Sequence, residues 1–131
     1  MGEPQKEILK SFENPNKNRD YLIDIEVPEF TCLCPVTGQP DFATMDIKYV
    51  PDEYCIELKS LKLYIWSYRD SSGFHEAVSN RILDDIVSSI NPRFAKLVAK
   101  FNVRGGTYPT VTCIHKGKNW KPKSETQLLS L

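Results

Sequence analysis

Between Phe74 and Pro92 the apolar residues Val78, Ile82, Leu83, Ile86, Val87 and Ile90 recur every three or four positions, the spacing of one helical face. Asn91-Pro92 ends the run, because the residue before a proline avoids helical backbone. A helix with one apolar face has to lay it on a second layer. The flanking sequence supplies a sheet. Tyr21, Ile23, Ile25 and Val27 alternate with Leu22, Asp24 and Glu26, which predicts a half-buried strand ending before Pro28. Ala43, Met45, Ile47 and Tyr49 alternate with Thr44, Asp46 and Lys48 and predict a second strand, paired back as a long hairpin and stopped by Pro51-Asp52. Tyr54 to Glu57 reads as a short extended lead-in. The stretch SLKLYIWSYRDSS then carries Leu61, Tyr64, Ile65 and Tyr68 at helical spacing, with Ser60 as its N-cap. Ala95, Leu97, Ala99, Phe101 and Val103 alternate with Lys96, Val98, Lys100, Asn102 and Arg104 as a long strand closed by Gly105-Gly106, and a last strand runs from about Thr110 to His115.

The order ββααββ with hairpin-length links implies an α+β domain: a four-stranded antiparallel sheet with two helices on one face. The other face carries Lys96, Lys100 and Asn102 around Val98, which suits a wetted surface or the lumen of a barrel shared among subunits. An oligomer that closes the sheet edges would also remove the hazard of unpaired edge strands. Residues 1–20 read as a polar, loosely held extension, 21–115 as the single folded domain and 116–131 as a polar tail.

Seventeen Lys+Arg balance seventeen Asp+Glu among 131 residues, so no net field attracts a polynucleotide or an anionic membrane. No run of apolar residues reaches signal-peptide or membrane-spanning length, and the expected location is the cytoplasm. In that reducing compartment Cys32, Cys34, Cys55 and Cys113 are thiols, either catalytic, metal-bound or small core residues.

Five places carry chemistry. In FTCLCPVTGQPDFAT, Cys34 precedes Pro35 in a turn-rich loop and Asp41 lies seven residues on. A thiolate beside an acid suits addition to a weakly electrophilic unsaturated carbon; the same residues also serve as a small loop anchor and an Asx-turn aspartate. Cys32-x-Cys34 and Cys113-x-His115 could converge from two strand ends as a tetrahedral zinc set, although common structural knuckles place two residues between cysteines. Lys59 and Lys62, with Ser60 between them near a helix start, make an anion site or an ordinary solvated pair. His75-Glu76 opens the second helix, where Glu76 can accept two N–H bonds from a planar purine-like edge or simply complement the helix dipole. Arg104-Gly105-Gly106 is either a flexible corner or an arginine set to meet phosphate. Neither GxGxxG nor GxxxxGK[ST] occurs, so a nucleotide would be held without a Rossmann or P-loop frame.

Taken in order, CPVTGQPDFAT, ELKSLKLY, FHE and RGG resemble the unimodular NADPH-dependent 7-cyano-7-deazaguanine reductases. The likeness covers about Phe12 to Gly106, and Glu57 to Tyr64 meets every position of the family block Glu-[Ser/Leu]-Lys-[Ser/Ala]-hydrophobic-Lys-[Leu/Tyr]-aromatic. The resemblance implies a tunnelling-fold subunit assembled into homo-oligomeric rings, a decamer among the candidate sizes, with active sites between subunits. It implies four-electron reduction of the substrate nitrile to 7-aminomethyl-7-deazaguanine for queuosine modification of tRNA, with NADPH as reductant and no metal. By position, Cys34 is implied as the nucleophile that forms a covalent thioimide and Asp41 as its proton donor. His75 and Glu76 match the base-recognition pair, and Ile56, Glu57 and Leu58 the segment beside the substrate. Lys59, Ser60 and Lys62 match the NADPH-holding positions, with Arg104 as a helper. Cys32 receives no role. The alternatives are a zinc-dependent pterin or purine hydrolase of the same fold, like the GTP cyclohydrolases, and a non-catalytic binder of a purine-like ligand.

Overall fold

In the computed structural model, which describes residues 4–121, the chain forms a 3-10 turn at Lys6–Ile8 and six strands: β1 (Ser11–Glu13), β2 (Ile23–Leu33), β3 (Pro40–Val50), β4 (Tyr54–Ile56), β5 (Phe94–Phe101) and β6 (Thr110–Lys116). Helices α1 (Leu58–Trp66) and α2 (His75–Ile90) lie between β4 and β5. The main sheet is antiparallel in the order β2-β3-β5-β6, as the alternating patterns imply. Helix α2 lays Val78, Ile82, Leu83, Ile86 and Ile90 on the inward residues Met45, Ile47, Leu97 and Ala99, and this contact forms the core. The outward face keeps its charges. Lys48 pairs with Asp46 and, across to β2, with Asp24 at 3.5 Å.

Four sequence expectations change. Pro28 does not end the first strand: β2 continues to Leu33 through an irregularity between Val27 and Phe30, where a proline needs no ladder N–H. The hairpin loop therefore shrinks to residues 34–39, and Asp41 sits on β3 opposite Cys32. The N-cap of α1 is Glu57 rather than Ser60, because the Glu57 carboxylate accepts the free N–H groups of Lys59 and Ser60 at 3.2 and 2.8 Å. The head is held rather than loose. Strand β1 pairs with β4, the Lys10 N–H donates to Ser60 Oγ at 2.8 Å, and Asn14 is buried, its amide donating to the Asp52 carbonyl at 2.8 Å.

Arg93 gathers the far end of the body. Its guanidinium meets Asp20 at 2.8 Å and Asp52 at 3.0 Å, and Trp120 packs on Phe94 while its indole N–H donates to Asp20. The start of the polar tail is thus fixed to the domain, and its residues beyond 121 lie outside those described.

Candidate active site

The β2–β3 loop puts Cys34 immediately after a core strand. The Cys34 N–H donates to the Gln39 carbonyl at 2.8 Å and the Gly38 N–H donates back to the Cys34 carbonyl at 2.8 Å. Gly38 supplies the left-handed backbone, φ +75°, that closes so short a loop. Cys32 and Cys34 separate as strand alternation gives way to the turn. Cys32 is fully buried and burial pushes its thiol up to about 11, whereas Cys34 is partly open and its thiol lies below the ordinary range. The nearby Thr37 side chain and the Thr37 and Val36 N–H groups favour its anion and outweigh desolvation and the Asp41 charge.

Helix α2 is brought to this loop by a short parallel stitch. The Leu33 N–H donates to the Ser71 carbonyl at 2.9 Å and the Gly73 N–H to the Leu33 carbonyl at 3.1 Å. Two residues later α2 begins, so His75 and Glu76 stand over the cysteine. His75 lies flat on Phe101, with ring centroids 3.7 Å apart and planes 6° from parallel, and its Nε2 faces Asp41 at 3.3 Å. Asp41, only 5% exposed, also meets the Arg104 guanidinium at 2.9 Å, and Arg104 donates to the Pro40 carbonyl at 2.9 Å. A buried carboxylate is tolerable when cations partner it.

Cys34, Pro35, Asp41, Gly73, Phe74, His75, Glu76 and Arg104 line one cavity of about 220 Å³. Of the eleven residues singled out in the sequence, five therefore converge here. Glu76 is exposed at its mouth and forms no side-chain bond within the described residues, leaving both carboxylate oxygens for a ligand.

The other six do not line this cavity. Ile56 is 2% exposed, in the core, with its N–H taking the Tyr49 hydroxyl oxygen as acceptor at 3.0 Å. Glu57 is spent on capping α1, and Leu58 projects to the surface. Ser60 is buried, its hydroxyl donating to the Glu57 carbonyl at 2.7 Å while accepting from Lys10. Lys59 and Lys62 are exposed on α1, and Lys62 lies 5.0 Å over the Trp66 ring. Lys62 and Trp66 edge a separate groove of about 280 Å³ with Leu58, Pro28 and Glu29. Arg104, implied as a helper in holding NADPH, sits on Asp41, because the turn closed by the Arg104–Thr107 bonds at 2.9 and 3.0 Å returns it to the β3 start. Phe101 and Thr37 were not singled out as site residues; the only sequence signals for them were an inward place on β5 and a hydroxyl within CPVTGQPD.

The zinc set does not form within one chain. Cys32 stands on β2 and Cys113 and His115 on β6, at opposite edges of the sheet, three strand spacings or about 14 Å apart. No cluster of three or more potential metal ligands occurs among the described residues.

Residues 40–120 match the family model described as QueF-like protein. The NADPH-dependent 7-cyano-7-deazaguanine reductase of Nitrosomonas europaea is 60% identical over 121 residues, 92% of this chain and 86% of that protein. This chain belongs to the QueF-like family. Proteins with the same reductase name from Halorhodospira halophila and Ruthia magnifica are 62% and 58% identical, over 88% and 96% of this chain and 98% of each relative. The apo crystal structure of an archaeosine synthase QueF-Like superposes with a TM-score of 0.69 at 21% identity, covering 74% of this chain and 95% of that one, and supports the tunnelling fold.

Proposed function

We propose that this protein is an NADPH-dependent oxidoreductase of queuosine biosynthesis that reduces the nitrile of 7-cyano-7-deazaguanine to the primary amine through a covalent thioimide on Cys34. The observation that carries the mechanism is the convergence of Cys34, Asp41, His75, Glu76 and Arg104 on one cavity. Relatives of 58–62% identity carry the reductase name.

Glu76 accepts the paired N–H donors of the deazaguanine edge, which aims the nitrile at the loop. The Cys34 sulfur bonds to the nitrile carbon, the π pair moves to nitrogen, and that nitrogen takes a proton from Asp41. The proton delivered is the one Cys34 gave up, so thiol plus nitrile yields a neutral thioimide. His75 and Arg104 keep Asp41 in place for the next proton transfer. NADPH supplies hydride, two equivalents being needed to carry the nitrile carbon to the amine level. Between them the Cys34 thiolate leaves carbon and an imine stays in the cavity, where exclusion of water prevents its hydrolysis.

Lys59 and Lys62, exposed beside the groove edged by Trp66, fit the phosphates of the cofactor, and Ser60 fixes that segment without contacting it. The groove and the Cys34 cavity have separate linings. We assign their meeting to an interface in a ring of subunits, in which the segment Glu57 to Lys62 of one copy completes the cavity of another. Among the described residues the outer edges of β2 and β6 have no strand partner in the main sheet, and they offer pairing surfaces for such a ring. No described helix is long and apolar enough to cross a membrane, and four free thiols suit the reducing cytoplasm where we place the protein.

The test is intact-mass and peptide analysis after mixing with the nitrile alone. A mass gain of one substrate on the Cys34 peptide, absent in Cys34→Ala, is expected; an unmodified, fully reduced and ligand-saturated Cys34 would leave a binder or a hydrolase in its place.

A further inference from the structure

Trp66 is 52% exposed on the last turn of α1, and Lys62, one turn earlier, lies over its face. Leaving so large an aromatic surface in water forgoes the free energy of covering it. The indole edges the groove of about 280 Å³ described above, together with the buried Leu61 and Ile65 of α1 and with Val27 and Pro28 of β2. Pro28 and Glu29 have no ladder partner on β3, and the hollow lies between that break and the helix. Its borders differ in chemistry. One is an aromatic face, the second is the Lys62 ammonium with Lys59 exposed on the turn before it, and the third is Glu29, exposed and without a side-chain bond among the described residues. An apolar segment of another protein laid here would take Lys62 and Glu29 out of water without pairing them. A flat heterocycle that carries a phosphate and an amino group satisfies all three borders.

We propose that this groove is the adenosine pocket of the NADPH site: Trp66 stacks on the adenine ring, Lys62 and Lys59 meet the phosphates, and Glu29 accepts from the exocyclic amine. The nicotinamide is the end of the cofactor that must reach the carbon held on Cys34. The groove shares no residue with the Cys34 cavity, so the adenine end is the one it takes. Lys62 joins the two interactions, because its ammonium leaves the indole face for a phosphate as the adenine covers that face. Stacking and phosphate binding are therefore coupled, and a nucleoside without phosphate gains little from the pocket. Guanine is disfavoured: it presents a carbonyl oxygen where adenine presents its amine, and the Glu29 carboxylate repels it.

This inference rests on the reading of Lys59 and Lys62 as cofactor ligands and names the adenine side of that site. The probe is adenosine 2′,5′-bisphosphate, which carries the adenine and the phosphates without the nicotinamide, titrated calorimetrically into the assembled protein. It should compete with NADPH and not with the nitrile, and the matching guanosine bisphosphate should bind more weakly. Trp66→Ala should weaken it about tenfold, whereas Trp66→Phe, which keeps an aromatic face, should weaken it by no more than about threefold. In turnover the same loss should fall on KM for NADPH rather than on kcat. Equal affinity in wild type and Trp66→Ala, with the probe lost in Lys59→Ala/Lys62→Ala, would overturn the pocket and leave the lysines as phosphate ligands; a probe that none of these substitutions weakens would remove that reading as well. A Trp66→Ala protein that falls apart in mass photometry would make the groove a contact between copies of the chain, and would overturn the pocket too.

Discussion

At the scale of single residues, Asp41 occupies the position in the site most dependent on its neighbours, because it is buried and shared by the Arg104 guanidinium and the His75 ring. Asp41→Asn keeps the shape and removes the transferable proton, so kcat should fall about a hundredfold or more while nitrile affinity stays within a few fold. Glu76→Gln should do the reverse: it exchanges one acceptor for a donor at the mouth of the cavity, and KM for the nitrile should rise far more than kcat falls. Steady-state kinetics on both variants separates the two roles. Cys34, Asp41, His75 and Glu76, which share the cavity, could be singled out in the sequence because their neighbours in CPVTGQPD and FHE are specific. The partnership of Arg104 with Asp41 was not, since 63 positions separate them and only the turn after β5 brings them together. Phe101, which fixes the plane of His75, was hidden for a similar reason: an inward aromatic on a strand reads as ordinary core.

Among the elements, alternation and the helical stripe were enough to place all four strands of the main sheet and both helices. Their ends were misread where side chains do what backbone usually does. Pro28 reads as a stop, yet on an edge strand at an irregularity it removes no ladder bond, and β2 runs on to carry Cys34 into position. Ser60 has the usual residue type for an N-cap, but Glu57 reaches the free N–H groups first. Glu57→Ala should accordingly cost about 1 kcal/mol in denaturant unfolding even where no ligand is present. The two helices are joined by the Tyr64 hydroxyl, which donates to Asp85 at 2.5 Å and meets the Tyr68 hydroxyl at 2.6 Å. Tyr64→Phe leaves both partners short of a bond inside the protein, and a loss of roughly 1–3 kcal/mol is expected in the same measurement. Of the two three-residue strands, β4 lies within the extended lead-in read at Tyr54 to Glu57, whereas β1 gave no sequence signal, being too short to show a period.

For the whole molecule, the division of labour between two separate hollows is the central structural fact. One chain presents Cys34, Asp41 and Glu76, the proposed nucleophile, proton carrier and base-recognition carboxylate, around one cavity, and a lysine-edged groove with a different lining. The proposed union across a subunit contact would account for Glu57 and the lysines, which the family block singles out, standing outside the cavity of their own chain. Lys59→Ala/Lys62→Ala should raise KM for NADPH tenfold or more and leave covalent capture of the nitrile by Cys34 unchanged, since capture precedes hydride transfer. The open charged face of the sheet is consistent with the lumen read from Lys96, Lys100 and Asn102, and mass photometry over a dilution series should show activity and ring falling together. The most direct measurement is the amount of NADPH oxidised per limiting 7-cyano-7-deazaguanine by the assembled, reduced protein. Two NADPH per nitrile, with amine as product and no oxidation in Cys34→Ala, is expected; oxidation that persists in Cys34→Ala, or a ratio of one, would contradict reduction through a cysteine thioimide.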